Sequence, residues 1–353
     1  DVSYIAYKTS SNKARTILLK RIREQLGSDL IAYQENKPIS LLSKWLQSEN
    51  ASSKETRQIG KMIREFLGYT PKQYRRVLSK LRAYSNVVEV KISADKWNEI
   101  DYNTVPSMAN LKYANAFIRH DANRRTEYLE ALKKGEAKIN AQAMFLHDIV
   151  HAYGLAPWNT SSTEVNDTLE ALWSAQEKVE GFKDTIVVRD GSGSMTCNVP
   201  NSSVTALDVA DAISIYCAEN NNGTFKDKII TFSSKPQLLD IAKYKTLKDK
   251  LLYLHKHDEY ENTNIEKVFL LILDTAVKNV VKKEDMPKSV LIISDGEYDA
   301  MTSVYNGHGY SAPDVTLFGR LASKYEEYGY ELPKLIFWNV DSRTNTIPDR
   351  KST

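Results

Sequence analysis

The chain has 353 residues, enough for two domains of ordinary size, and its 42% hydrophobic and 26% charged residues are typical of a globular protein. No apolar run approaches the roughly 20 residues that a membrane-spanning helix needs, and the first residues lack the apolar core of a signal peptide. Two cysteines, Cys197 and Cys217, are too few for a disulfide framework. These features predict a protein of the reducing, cytoplasmic compartment with no membrane partner.

The charge is unevenly distributed along the chain. Residues 1–150 contain 26 Lys and Arg against 16 Asp and Glu, a net charge of +10, whereas the remainder carries −7 within an overall charge of +3. A basic first part joined to an acidic second part predicts two domains with different partners.

Residues 1–180 have mostly helical periodicity. The first helix is predicted over 12–27, ending at Gly27, and a later one opens with Thr70 and Pro71 as N-cap and first helical residue. The other helical patterns cover 39–50, 52–68, 93–100, 106–135, 140–154 and 165–182. Successive short helices without strand pairs predict stacked helical hairpins, as in helical-repeat (HEAT-like) proteins, although no regular repeat is present.

After Gly181 the pattern changes to short runs rich in Ile and Val that alternate with helical stretches. The runs cover 184–190, 227–234, 288–296 and 333–340, and the helices 205–220, 244–254, 264–282 and 314–329. This alternation predicts a doubly wound, Rossmann-like α/β domain with a parallel sheet over residues 181–353, following a helical domain over 1–180.

Oxygen-bearing side chains gather at the predicted strand ends. Asp190, Ser192 and Ser194 follow the first strand in D-x-S-x-S spacing, Asp295 follows the third, and Thr263 precedes a helix. In a parallel sheet the carboxyl ends of the strands form the ligand-binding edge. Hydroxyl and carboxylate oxygens are the ligands of a hard divalent cation such as Mg²⁺.

These five positions, in "DGSGSM", "ENTNIEKVF" and "ISDG", resemble the metal-ion-dependent adhesion site (MIDAS) of von Willebrand factor A (vWA) domains. The resemblance implies a bound Mg²⁺, with Mn²⁺ or Ca²⁺ as alternatives. It implies direct ligation by Ser192 and Ser194, direct or water-mediated ligation by Thr263, and mainly water-mediated contacts from Asp190 and Asp295. In vWA domains an acidic group of a protein partner completes the metal shell.

The chain departs from the vWA pattern at two positions beside the motif. Arg189 stands where many relatives carry an apolar residue, and Gly191 replaces a larger one. Neither change removes a ligand. They indicate an altered metal affinity or a local salt bridge.

The helical part extends the resemblance. Segments such as "LLSKWLQSENASS" and "INAQAMFLHDIV" resemble a large uncharacterised family that joins a helical region to a C-terminal vWA domain. The domain order is also similar to that of the Ro autoantigen, whose helical TROVE module closes through a vWA domain and binds RNA. This second likeness implies a Ro-like, TROVE-like RNA-binding architecture.

A basic segment supports an RNA partner. Residues 54–82 contain nine cationic residues and only two acidic ones. Tyr69, Tyr74 and Tyr84 lie within or next to this segment and could stack on bases. The nine are Lys54, Arg57, Lys61, Arg64, Lys72, Arg75, Arg76, Lys80 and Arg82. The alternative is an ordinary solvated helix surface, because no RNA-recognition consensus is present.

Other motifs favour structural roles. In "HDIVH" (147–151) Asp148 replaces the Glu of zinc proteases and no third ligand follows, so we expect a capped or buried histidine. We expect His255 and His257 to be exposed loop residues. The five tryptophans are predicted to anchor the core.

The sequence therefore predicts a non-enzymatic, metal-dependent binding protein without a small-molecule cofactor, with an acidic protein partner at the cation and RNA on the basic helices. One alternative is a protein-interaction or assembly scaffold that binds no RNA. A lesser one is a metal-dependent hydrolase, for which Glu297 is the only candidate base near the cation.

Overall fold

The computed structural model describes residues 2–85, 87–141, 143–156, 164–258, 265–295, 304–305, 310–311 and 315–340. It is a mixed α/β structure that divides into two compact units. The first comprises Asp1–Asp101 with Arg119–Asp121, and the second comprises Tyr102–Ile118 with Ala122–Thr353. This division falls well before the predicted boundary at residue 181.

The first unit is helical in all its described regular elements. Its helices are α1 (Val2–Lys8), α2 (Asn12–Gln34), α3 (Leu42–Trp45), α4 (Lys54–Leu67), α5 (Pro71–Tyr84) and α6 (Val88–Ser93). Their core contains ten buried residues, namely Ala6, Leu19, Ile22, Leu26, Leu46, Ile59, Ile63, Tyr74, Leu78 and Leu81. Helix–helix packing of this kind agrees with the predicted helical class, and a HEAT-like or TROVE-like repeat stays a prediction.

Local sequence signals fix the ends of α4 and α5. The Ser53 side chain accepts a hydrogen bond from Thr56 N at the start of α4, and Gly68 ends the helix with a φ of +75°, a left-handed conformation that favours glycine. At α5, Thr70 Oγ1 accepts a hydrogen bond from Gln73 N while Gln73 Oε1 accepts one from Thr70 N. The cap predicted at Thr70 and Pro71 is confirmed.

The second unit begins with four further helices. These are α7 (Ser107–His120), whose last two residues belong to the first unit, α8 (Ala122–Lys134), α9 (Leu146–Tyr153) and α10 (Asp167–Ser174). Helices α9 and α10 share one hydrophobic core with the α/β part: Ile149, Leu169 and Leu172 pack in the same cluster as Ala212 and Ile215. This shared core explains why the compact unit starts before residue 181.

The α/β part contains a five-stranded sheet and a separate pair of short strands. The strands of the sheet are β1 (Thr185–Arg189), β2 (Lys228–Thr231), β3 (Leu238–Asp240), β4 (Ser289–Ser294) and β7 (Lys334–Asn339), and the pair is β5 (Val304–Tyr305) with β6 (Tyr310–Ser311). The strand order in the sheet is β3-β2-β1-β4-β7, and all strands except β3 are parallel. The helices are α11 (Ala206–Asn220), α12 (Leu247–His255), α13 (Ile265–Lys278) and α14 (Val315–Glu327). All four predicted strands are present, and the antiparallel β3 was not predicted.

Both faces of the sheet are covered. Val187 and Leu291 pack with residues of α11 on one face, whereas Ile186 and Val188 pack with residues of α13 and α14 on the other. Strand β1 is buried along its whole length, as expected for a central parallel strand. Helices therefore pack on both faces of the sheet, as in a doubly wound domain. The assignment as a vWA domain stays a prediction.

Several helix boundaries differ from the sequence prediction, and two of the differences lie in the first unit. Helix α2 continues through Gly27 to Gln34, and its buried Asp29 accepts hydrogen bonds from Ser40 N (3.0 Å) and Ser40 Oγ (2.6 Å). The segment predicted as a helix over 39–50 forms only the one-turn α3. Within the described residues, no helix is both long and apolar enough to cross a bilayer.

Candidate metal-binding site at the strand ends

Strands β1 and β4 are parallel neighbours, so their carboxyl ends meet at one edge of the sheet. The register continues one residue beyond β1, where Asp190 N donates a hydrogen bond to Ile293 O at 3.1 Å. Asp190 is buried there, and its Oδ2 accepts a hydrogen bond from Ser294 Oγ at 2.5 Å. The carboxylate is therefore fixed at the base of the loop that follows β1.

That loop is held by its own side chains and by the end of β4. Ser192 N donates to Asp190 Oδ1 at 2.9 Å, and the loop continues into a short 3₁₀ helix, Gly193–Thr196. Within this helix Met195 is fully buried, and its Sδ accepts a hydrogen bond from Asp295 N at 3.2 Å. The two loops are thus joined both at their base and through Met195.

Three side-chain oxygens converge above this base. Ser192 Oγ lies 3.1 Å from Ser194 Oγ, and Ser194 Oγ donates to Asp295 Oδ1 at 3.0 Å. The structure therefore brings together four of the five predicted metal-site residues, which are Asp190, Ser192, Ser194 and Asp295. The fifth, Thr263, lies outside the described residues, as does Glu297.

The chemistry of this oxygen cluster fits a hard cation. Neighbouring ligands of octahedral Mg²⁺, bonded at 2.0–2.1 Å, are separated by about 2.9 Å, close to both observed oxygen separations. A site here would depend on hydroxyl oxygens, because no three His, Cys, Asp or Glu side chains in the described chain could jointly hold a metal. The residues present thus fit the group that the vWA resemblance implies.

A buried ionic network lies beside the cluster. The Arg189 guanidinium donates from Nε to Asp211 and from Nη1 to Asp258, and His255 Nε2 lies 2.7 Å from Asp211 Oδ2. Burial favours the neutral form of Asp211, but the neighbouring Arg189 and His255 outweigh it and hold the pKa of Asp211 below its ordinary value. A local salt bridge at Arg189, one of the two predicted consequences, is confirmed.

This network corrects the prediction for His255, which is a buried residue in the last turn of α12 and not an exposed loop residue. Sequence reasoning also missed Asp211 and Asp258. The available signal was Arg189 itself: a charged residue inside an apolar strand requires buried partners of opposite charge. Nothing in the sequence indicated which of the acidic residues would supply them.

The "HDIVH" histidines do not form a shared site. His151 Nδ1 lies 2.9 Å from Asp208 Oδ2, and Asp208 also accepts a hydrogen bond from Thr205 N at the start of α11. His147 instead stacks on Phe145, with ring centroids 5.2 Å apart. Both histidines thus have structural contacts, but each is half-buried, so the expectation of a capped or buried histidine is not met as stated.

The nine predicted RNA-contacting cations divide into two groups. Seven are exposed, namely Lys54, Arg57, Lys61, Lys72, Arg75, Arg76 and Lys80. The other two are half-buried: Arg64 pairs with Glu49 at 2.8 Å, and Arg82 donates to Ser43 O and Leu46 O at 2.8 and 2.7 Å. The guanidinium groups of Arg64 and Arg82 therefore stabilise the first unit through contacts within it.

Two of the three interleaved tyrosines are engaged within the fold. Tyr74 is buried in the core and its hydroxyl donates to Gln47 O at 3.0 Å. Tyr84 is half-buried, stacks edge-on against Tyr33 and donates to Lys37 O at 3.1 Å. Since their rings and hydroxyls are engaged, the prediction that they stack on bases lacks structural support.

The tryptophan prediction was largely wrong. Trp173 is a core residue whose indole N–H donates to Glu219 at 3.0 Å. Trp45 and Trp338 are exposed, Trp97 is half-buried, and Trp158 lies outside the described residues.

Comparisons with known proteins match both parts of the chain. Residues 39–184 match a family model described as a domain of unknown function (DUF2828), and residues 184–353 match a second one, also described as a domain of unknown function (DUF7788). The two matches adjoin at residue 184, next to the start of β1.

Two individual proteins are similar over nearly the whole chain. An uncharacterised protein of Acanthamoeba polyphaga mimivirus (L728) is 29% identical over 97% of this chain, which spans 60% of the length of that relative. The crystal structure of the Ro (RSR) protein of Deinococcus radiodurans aligns with 99% of this chain and 81% of its own at a TM-score of 0.42 and 14% identity. That level of similarity does not establish a shared fold.

Proposed function

We propose that this protein is a metal-dependent binding protein whose oxygen cluster holds a divalent cation, Mg²⁺ in the first instance. The observation that carries the proposal is the convergence of Ser192 Oγ, Ser194 Oγ and Asp295 Oδ1 at separations of 3.1 and 3.0 Å. Asp190 would support the site from its base, and Thr263 is proposed as a further ligand. When bound, the cation would supply an electropositive position for an incoming oxygen ligand.

The donor set favours binding over catalysis. Two of the three converging oxygens belong to neutral hydroxyls, so they would leave a divalent cation with uncompensated positive charge. A carboxylate from an acidic protein partner would neutralise it. Both oxygens of Asp190 already accept hydrogen bonds, from Ser192 N and Ser294 Oγ, which makes this carboxylate a poor general base.

Titration calorimetry with Mn²⁺ tests the cation site. Ser194→Ala removes one converging oxygen from an exposed position, so we expect Mn²⁺ affinity to fall by at least about tenfold, or about 1.4 kcal/mol. The matched control is Ser203→Ala, an exposed serine on the next loop, which should bind like the wild type. Equal affinity in both variants, or no binding by the wild type, would contradict the proposal.

We propose as a second function that the exposed face of α5 binds RNA. Helix α5 contains no Asp or Glu, and Lys72, Arg76 and Lys80 follow one another at four-residue spacing with Arg75 beside them. None of these four cations makes an ion pair with another residue in the described part of the chain. With Tyr74 and Tyr84 engaged within the fold, the contacts of these four cations would be made to phosphates, without base selectivity.

Binding of labelled RNA measured by fluorescence anisotropy across a salt series tests this second function. Neutralising Lys72 and Arg76 together (Lys72→Gln with Arg76→Gln) should weaken binding and flatten the dependence of log affinity on log salt by about 0.7–0.9 per lost phosphate contact. Lys13→Gln with Lys20→Gln on α2 makes the same charge change at exposed positions of the same unit and serves as the control. Absence of RNA binding by the wild type at low salt would favour the scaffold that binds no RNA.

A further inference from the structure

Arg189 is the last residue of the central strand β1 and directly precedes Asp190. The preceding side chains of this strand, Ile186, Val187 and Val188, are buried and apolar. Arg189 is equally buried, with 1% of its side chain exposed. A guanidinium at this depth is costly unless its charge and donors are matched, so its partners determine what it does there.

The partners come from three other segments. Asp211 lies on α11, His255 on the last turn of α12, and Asp258 on the segment that follows α12; each is as buried as Arg189 itself. Arg189 contacts both carboxylates and therefore links these segments to the end of β1. The loop bearing Ser192 and Ser194 begins at this link.

The backbone at Gly191 lies directly against the ion pair. A Cβ atom added to Gly191 would fall 2.2 Å from Asp258 Oδ1 and 2.8 Å from Arg189 Nη1. No side chain fits there unless the loop or the ion pair moves. The two departures from the vWA pattern, Arg189 and Gly191, thus meet in space: the arginine recruits Asp258, and the glycine makes room for the pair.

The network has features that stability alone does not explain. Arg189 Nη2, Asp258 Oδ2 and His255 Nδ1 are buried and have no hydrogen-bond partner among the described residues. Incompletely bonded buried ions are often less stabilising than apolar side chains of similar size. Since such a network often contributes less stability than apolar side chains would, we expect its role in the adjacent loop, whose geometry it can fix.

From these contacts we infer that Arg189, Asp258 and Gly191 form a positioning unit for the oxygen cluster. The ion pair supports the loop backbone at Gly191 and thereby holds Ser192 Oγ and Ser194 Oγ within reach of Asp295. This inference rests on the proposed cation site, because it assigns the residues that hold that site in shape. None of the three residues is itself a ligand.

Gly191→Ala is the direct test. The added methyl group must displace the loop or the ion pair, so Mn²⁺ affinity should fall at least tenfold in calorimetry at a temperature where the variant is fully folded. Gly181→Ala, whose added Cβ would meet nothing nearer than 3.9 Å, is the control and should retain wild-type affinity. Thermal melting without metal, recorded in parallel, measures stability separately.

A charge-balanced variant covers the case in which Gly191→Ala does not fold. Arg189→Met with Asp258→Asn removes one positive and one negative group, so the net charge of the network is unchanged, and Asp211 keeps its contact with His255 Nε2. We expect this variant to melt cooperatively and to bind Mn²⁺ at least tenfold more weakly. A purely structural role would lower the melting temperature and leave the affinity of the folded protein unchanged.

The outcomes separate the two proposals. A wild-type protein that binds no Mn²⁺ overturns the cation site and this inference with it. If the wild type binds and Ser194→Ala does not, but the charge-balanced variant binds as tightly as the wild type, the cation site stands and the positioning role is overturned.

Discussion

Asp211 is the residue on which the buried network depends, because its two oxygens contact Arg189 and His255 at once. Removing it would leave the Arg189 charge with a single carboxylate partner. Because these groups are shielded from water, their interaction is stronger than that of an exposed pair such as Lys228 and Asp240. The stability of the second unit should therefore respond to this one side chain.

Asp211→Asn should lower the free energy of unfolding by about 3–5 kcal/mol near neutral pH. The pKa of Asp211 lies below its ordinary value, so its stabilisation is present above the unfolded pKa of about 3.9 and is lost as the pH falls through the lower, folded pKa. The difference in the free energy of unfolding between wild type and variant should consequently become smaller below about pH 4. Urea unfolding of both proteins across this pH range measures the difference.

Asp240→Asn provides the control for this experiment. The pKa of Asp240 is also lowered, mainly by its hydrogen bond with Lys228, but about half of its side chain is exposed. Because solvent screens this exposed pair, Asp240→Asn should lower the free energy of unfolding far less than Asp211→Asn does at neutral pH. A gap for Asp211→Asn that stays constant down to strongly acidic pH would show that the carboxylate charge is not what stabilises the fold.

At the scale of elements, helix ends were predictable where the signal is local. The cap at Thr70 uses the Thr70 and Gln73 side chains, and the cap at Gly68 uses backbone groups of residues 64–69, so each interaction lies within a few residues of the helix end. Helix α2 passes through Gly27 for a reason that is not local: its continuation contains the buried Asp29, which accepts hydrogen bonds from Ser40, eleven residues away. Tertiary contacts of this kind override the weak helix-breaking tendency of a glycine.

The same distinction applies to the strands. Four runs rich in Ile and Val lie in the sheet where their composition predicts them. The three-residue β3 was missed because "LLD" has no strand period, and its pairing with β2 supplies the hydrogen bonds that define it. Short edge strands are defined by their neighbours more than by their own residues.

At the scale of the whole molecule, the α/β part does not bury its own surface completely. Helices α9 and α10 cover one side of α11, and Glu170 of α10 accepts hydrogen bonds from Leu247 N (2.8 Å) and Lys248 N (3.2 Å) at the start of α12. These contacts supply a hydrophobic layer and a helix cap from outside residues 181–353. A boundary at residue 181 would therefore cut through a core.

Two fragments test this point. Residues 102–353 should melt cooperatively, whereas residues 181–353 should melt at a much lower temperature or aggregate. The shorter fragment exposes the partners of Ile149, Leu169 and Leu172, each contributing about 1.5–3 kcal/mol of burial, against a total stability of about 5–15 kcal/mol. Circular dichroism melts of both fragments decide the matter. Equal stability of the two would show that α9 and α10 are dispensable.

The sequence by itself determined the features that short stretches encode: the helical first part, the alternating strands and helices after residue 181, and the D-x-S-x-S loop at a strand end. It also brought Asp190, Ser192, Ser194 and Asp295 to one edge, because parallel strands end together. Only the tertiary structure decided which carboxylates pair with Arg189 and that His255 is buried. It also decided that two tyrosines and two arginines of the basic segment make contacts within the first unit. Those outcomes depend on contacts between residues that are tens of positions apart in the chain. A local sequence pattern contains no information about which distant residue will make such a contact.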